Sequence, residues 1–115
     1  MKKITITLIF LLFLGSIISA QDLPIITIVN STGYPVYLIF VSPSDDDSWG
    51  DPTVEGQTLE TGNSIDIRLK APLSAKSVYD ILLVDTDDDT YTKFGVKVKA
   101  NEKIEFTFDD FDEYD

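Results

Sequence analysis

The chain contains no cysteine and no histidine. Without cysteine no disulfide can staple the fold, and no lipid can be attached through a cysteine thiol, so stability has to come from packing or from a bound ion. Without histidine the commonest general base and the commonest transition-metal ligand are both missing. Positive charge is scarce too: nine lysines and arginines stand against 20 aspartates and glutamates, a formal net charge of −11. That balance opposes binding to DNA, RNA or an anionic membrane surface. Past the first twenty residues, the longest apolar run is Val36 to Val41. Spanning a bilayer takes about 20 apolar residues. Sustained 3.6-residue periodicity is also missing past that point, which argues against helices.

What is present begins with a basic start, Met1-Lys2-Lys3, followed by an apolar run from Ile4 to Leu14 and by Ile17-Ile18-Ser19-Ala20 ahead of Gln21-Asp22. This order describes a secretory signal peptide over residues 1–20 with cleavage after Ala20. The rival, a membrane anchor, is too short and is interrupted by threonines, Gly15 and Ser16. Removing residues 1–20 takes Lys2 and Lys3 away and leaves every acid, so the mature net charge falls to −13. The expectation is an exported protein, periplasmic or extracellular, with one small domain over 21–108 and an acidic tail over 109–115.

Apolar and β-branched runs separated by turn residues make up the rest. Strands are expected over 23–29, with Pro24 at the start where a missing N–H is tolerable, and over 34–41. The second is apolar on both faces, which suits a strand covered on both sides. Asn30-Ser31-Thr32-Gly33 between them reads as a turn, although its first three residues also fit a glycosylation sequon. Residues 42–52 form a loop, and 53–60 are irregular with at most a short edge strand. A cleanly alternating strand follows over 64–70, with Ile65, Ile67 and Leu69 inward.

Residues 79–98 read as a β-hairpin around Asp85-Thr86-Asp87-Asp88-Asp89. In its second arm Phe94, Val96 and Val98 are expected inside, with Lys93, Lys97 and Lys99 outside. A last strand covers 103–108. Six to seven short strands without intervening helices predict an all-β fold, a small antiparallel β-sandwich of immunoglobulin-like type, with a small barrel as the alternative.

The pattern Asn30-x-Thr32-Gly33, Ser42-Pro43, Ser48-x-Gly50 around Trp49, Leu59-x-x-Gly62-x-Ser64, Tyr79-Asp80-Ile81 and Asp85-x-Asp87 resembles that of a family of small, uncharacterised exported bacterial proteins. The resemblance covers most of the mature chain and rests on turns and strand starts. It implies a bacterial exported β-domain and brings no catalytic residues with it. Asp88-Asp89 departs from it, standing in the hairpin turn where a glycine is expected.

Four stretches carry chemistry. Asp85, Asp87 and Asp89 alternate as in the first half of a calcium loop. An EF-hand also needs Gly and Glu at its sixth and twelfth positions, where this chain has Thr90 and Val96, so that motif is excluded. The remaining alternatives are a calcium site built with Asp45, Asp46 and Asp47 from the other acidic run, or a solvated hairpin tip. Trp49, between Asp45–Asp47 and Asp51, is either a ligand-binding ring in a sugar-type loop or a plug for the open end of the sandwich. The tail is either solvated or a partner-binding segment using Phe111 and Tyr114. Lys93, Lys97, Lys99 and Lys103 form the one basic stretch and would discourage edge pairing. Catalysis would have to rest on paired carboxylates or a Ser–Lys dyad, in a chain with little room for a substrate cleft. The leading expectation is therefore a non-catalytic module that binds a protein or a glycan. A calcium-stabilised structural or adhesive module comes second, and a small carboxylate-dependent hydrolase third. Oligomeric state is not legible.

Overall fold

A computed structural model describes residues 23–74 and 77–113; the expected signal peptide over 1–20 and Tyr114 lie outside the described residues. Six strands form: β1 (Ile25–Ser31), β2 (Val36–Pro43), β3 (Ser64–Arg68), β4 (Val78–Asp85), β5 (Thr90–Lys97) and β6 (Lys103–Thr107). They make two three-stranded sheets, one in the order β3-β1-β6 and the other β2-β4-β5. The fold is all-β, as the alternating pattern predicts. The antiparallel expectation holds for three of the four strand pairs. β1 and β6 run parallel, with Ile28 opposite Ile104 and Asn30 opposite Phe106. Alternation of apolar residues is the same in either direction of pairing, so this feature leaves no trace in the sequence.

The core lies between the sheets. Ile26, Ile28 and Phe106 from the first sheet meet Ile39, Ile81 and Leu83 from the second, all with 0% exposure. Each such side chain contributes about 1.5–3 kcal/mol by leaving water. Segment 53–60 is tied to the β2 edge by two isolated bridges, Val36 with Leu59 and Ile39 with Val54. Asn30 helps to hold it. Its amide donates to the carbonyls of Tyr34 (2.8 Å) and Leu59 (2.9 Å), and its Oδ1 accepts from the Thr32 amide and hydroxyl. Asn30 is fully buried near the end of β1. Asn30 and Ser31 thus finish β1 and the expected turn begins only at Thr32, while the Asn30 amide faces inward.

Two further expectations are corrected. Phe94 points outward with 73% exposure. The pairing of β4 with β5 shifts between Tyr79 and Ile81, and Gly95 sits at that irregularity with φ +65. A bulge inserts one extra residue and reverses the alternation beyond it. Tyr91 and Val98 are therefore buried while Phe94 is not. The tail is also not a loose end. Phe108–Asp110 form a single 3₁₀ turn capped reciprocally by Thr107 and Asp110. Phe111 bridges to Tyr91, and the Asp112 amide donates to the Thr90 carbonyl (2.8 Å). These contacts cover part of the outer edge of β5, a protection that exposed sheet edges need.

Candidate binding site

The register of sheet two decides whether the two acidic runs meet. Val36 lies opposite Asp85, and Pro43 lies opposite Tyr79. The loop carrying Asp45, Asp46 and Asp47 leaves β2 at the Pro43 end, whereas the Asp85–Asp89 tip leaves β4 at the Val36 end. Seven residues of strand separate them, about 23 Å. No cation can be shared between the two runs, and the calcium site pooled from both is overturned.

At the hairpin tip, Asp85 is 1% exposed. Its Oδ1 accepts from the amides of Asp87 (2.9 Å) and Asp89 (3.0 Å), and its Oδ2 accepts from the Tyr91 hydroxyl (2.9 Å). The carboxylate thus stands in for a turn residue's own hydrogen bonding. Asp88 has φ 64, the left-handed conformation that explains why glycine is expected there and that Asp tolerates better than most residues. The Tyr37 hydroxyl donates to its carboxylate at 2.7 Å, which raises the phenol's pKa. Carboxylate oxygens of Asp85, Asp87 and Asp89 come within 4.8 Å of one another. Partial burial, and then the charges of Asp85, Asp87 and Asp88, push the Asp89 carboxyl above its ordinary range. Burial and the bond to Asp85 hold the Tyr91 phenol protonated far into the alkaline range.

At the opposite end, Trp49 lies outside the core. It is half-buried, and its ring centroid is 6.5 Å from Phe40 and 6.3 Å from Phe94. Phe40 follows the buried Ile39 and pairs with Leu82, which follows the buried Ile81, so both lie on the outer face of sheet two. The indole therefore caps one end of that outer face instead of plugging the sandwich. A cleft of about 300 Å³ opens on one side of it, lined by Asp46, Asp51, Arg68, Lys70 and Tyr79 together with the ring. A second cleft, of about 190 Å³, has Asp46, Asp47, Asp80 and Phe94 around the same indole. Asp80 is held in place, its Oδ1 accepting from the Ser44 hydroxyl (2.6 Å) and the Gly95 amide (2.9 Å). The loop is anchored as well: the Ser42 hydroxyl donates to the Ser48 carbonyl (3.1 Å), and the Asp46 amide donates to the Pro43 carbonyl (3.0 Å).

The sequence reads Trp49 and its flanking acids as one group, of which Asp46, Asp47 and Asp51 line the clefts beside the ring and Asp45 lines neither. It misses Phe40, Phe94 and Asp80 as their partners, and Arg68 and Lys70 as the opposite wall. Gly95 inside a strand is the one readable sign, since an isolated strand glycine marks a bulge.

No family model matches the chain, and no curated protein does. Among solved structures, the fold is similar to that of a protein from Eubacterium rectale determined by NMR. The TM-score is 0.55 at 18% identity, over 80% of this chain and 91% of that one.

Proposed function

We propose that the protein is a non-catalytic, exported β-sandwich module that holds a partner with the Trp49 loop. One observation carries this reading. The chain's single tryptophan, the side chain with most to gain from burial, stands outside the core on a braced loop between two clefts. An aromatic ring presented with carboxylates and basic groups supplies both apolar contact and orientation, the usual make-up of a binding site. The basic-apolar-small order of residues 1–20 supports export, and the resemblance in turns and strand starts supports a bacterial setting. The test is a titration of the mature domain with soluble oligosaccharides and with peptides, followed by Trp49 fluorescence and by calorimetry. Binding is expected to disappear in Trp49→Ala while unfolding stays cooperative. Binding that survives the substitution overturns the reading.

A calcium-stabilised module is the second reading, and the 4.8 Å grouping of Asp85, Asp87 and Asp89 favours it. A cation there would have to compete with the three donors that already engage Asp85. Ligand that binds only the folded state raises the melting temperature. An unchanged melt between EDTA and millimolar calcium removes this reading.

A further inference from the structure

The outer faces of the two sheets differ in kind. On sheet one the outward side chains make polar cross-strand pairs, Thr27 with Asp66 and Ser31 with Glu105, each at 2.7 Å. On sheet two the outward positions Leu38, Phe40, Leu82 and Val84 are apolar and only partly buried. Trp49 and Phe94 extend this strip at the Pro43 end, where Phe94 is the most exposed large apolar side chain among the described residues. Among the described residues no other strand or turn lies over this strip, and a contiguous apolar strip left open marks an interaction surface. The Trp49–Phe94 cleft carries charge of one sign, because Asp46, Asp47 and Asp80 surround it and no lysine or arginine among the described residues lines it; Arg68 and Lys70 belong to the cleft on the other side of the indole.

We infer that this face docks a lysine- or arginine-bearing polypeptide segment of another protein, with cationic side chains entering the Trp49–Phe94 cleft and apolar ones covering Phe40 and Leu82. This rests on the reading of Trp49 as the partner-holding residue and names the partner's chemistry. Ammonium and guanidinium groups are attracted both to carboxylates and to aromatic faces, so the cleft offers them two reinforcing contacts. A second copy of the chain carries the same net charge, −11 in full and −13 without residues 1–20, and would be repelled. An anionic membrane is repelled for the same reason. A cationic segment gains from that field, which also speeds its encounter.

The test uses the mature domain and two synthetic peptides of about twelve residues, one alternating lysine with leucine and the other glutamate with leucine. Titration is followed by calorimetry and by the emission of Trp49, the chain's one tryptophan, at about 0.05 and 0.5 M salt. Three variants accompany it: Phe94→Ser, the pair Asp46→Asn and Asp47→Asn, and the pair Asp87→Asn and Asp88→Asn. The last pair removes equal charge at the far end of the sheet. The lysine peptide is expected to bind and shift the emission, with affinity falling as salt rises. Loss of Phe94, or of Asp46 and Asp47, is expected to weaken it at least about tenfold, as for a central contact, with the distal pair within about twofold of the parent. Failure of the lysine peptide to bind, equal binding of the glutamate peptide, or equal losses from the two aspartate pairs would each overturn the inference. If an oligosaccharide instead binds in a Trp49-dependent way, the inference falls and the binding-module reading stands. Should no ligand depend on Trp49, both fall.

Discussion

Replacing Asp85 by Ala is expected to be among the most damaging single changes in the domain. The substitution removes three hydrogen bonds at once from a site with 1% exposure. Its largest effect falls on Tyr91, whose residue is 0% exposed and whose hydroxyl would be left without its acceptor. Orphaning a buried donor costs about 1–3 kcal/mol. The amides of Asp87 and Asp89 lie in a turn that water reaches, so each loses only the net worth of an ordinary hydrogen bond, about 0.5–1.5 kcal/mol. The total spans about 2–6 kcal/mol and centres near 4, a large share of the 5–15 kcal/mol typical of a domain. At about 4–8 °C per kcal/mol for a chain of this size, a loss near 4 kcal/mol lowers the melting temperature by about 16–32 °C. Urea and thermal unfolding followed by circular dichroism would measure it. Tyr91→Phe in the same background closes a double-mutant cycle, and a coupling of about 1–2 kcal/mol is expected for groups in direct contact. A loss below about 1 kcal/mol, or no coupling, would refute the assignment of Asp85 as the clasp of the hairpin.

Other consequences follow from the same geometry. Asn30→Ala strips donors from the Leu59 and Tyr34 carbonyls and an acceptor from Thr32, and is expected to cost about 2–4 kcal/mol in urea unfolding. Because the Asp89 carboxyl is raised, its favourable contribution is present below the ordinary carboxylate range and is lost as pH rises through the folded value. Asp89→Asn should therefore raise the melting temperature at pH 7 and lose that advantage at acidic pH. The raised phenol of Tyr91 acts in the same sense at higher pH: above about 10, ionisation in the unfolded chain drains stability by about 1.4 kcal/mol per pH unit. Tyr91→Phe should make that alkaline decline shallower by one proton. Gly95→Ala forces a side chain into φ +65 and is expected to cost about 1–2 kcal/mol without abolishing the fold.

Strand positions were legible in the sequence because each sheet buries one face, and burial of one face imposes an alternation. Ile65, Ile67 and Leu69 show this directly. The alternation carries no information about partner direction, so the parallel β1–β6 pair stayed hidden. It also breaks at a bulge, which is why Phe94 reads as a core residue and proves exposed. The second strand is apolar on both faces, and the inference of cover on both sides was half right. Ile39 faces the core, whereas Phe40 is covered only in part, by Trp49. Which acidic loops share an end of the sandwich depends on strand direction and register. These are properties of pairing, and Asp45–Asp47 and Asp85–Asp89 look equally good as a joint site until the register is known. Tail docking rests on Phe111 meeting Tyr91 at 5.7 Å, a contact twenty residues apart in sequence.

The measurement that bears most directly on the account is equilibrium unfolding of Trp49→Ala set beside its binding. A tryptophan plugging the core would cost about 3–5 kcal/mol when truncated. Since Trp49 is half-buried on the outer face, the account predicts a loss of about 1–1.5 kcal/mol, with cooperative unfolding retained and partner binding abolished. A loss above about 3 kcal/mol, or binding that persists without the indole, would contradict it.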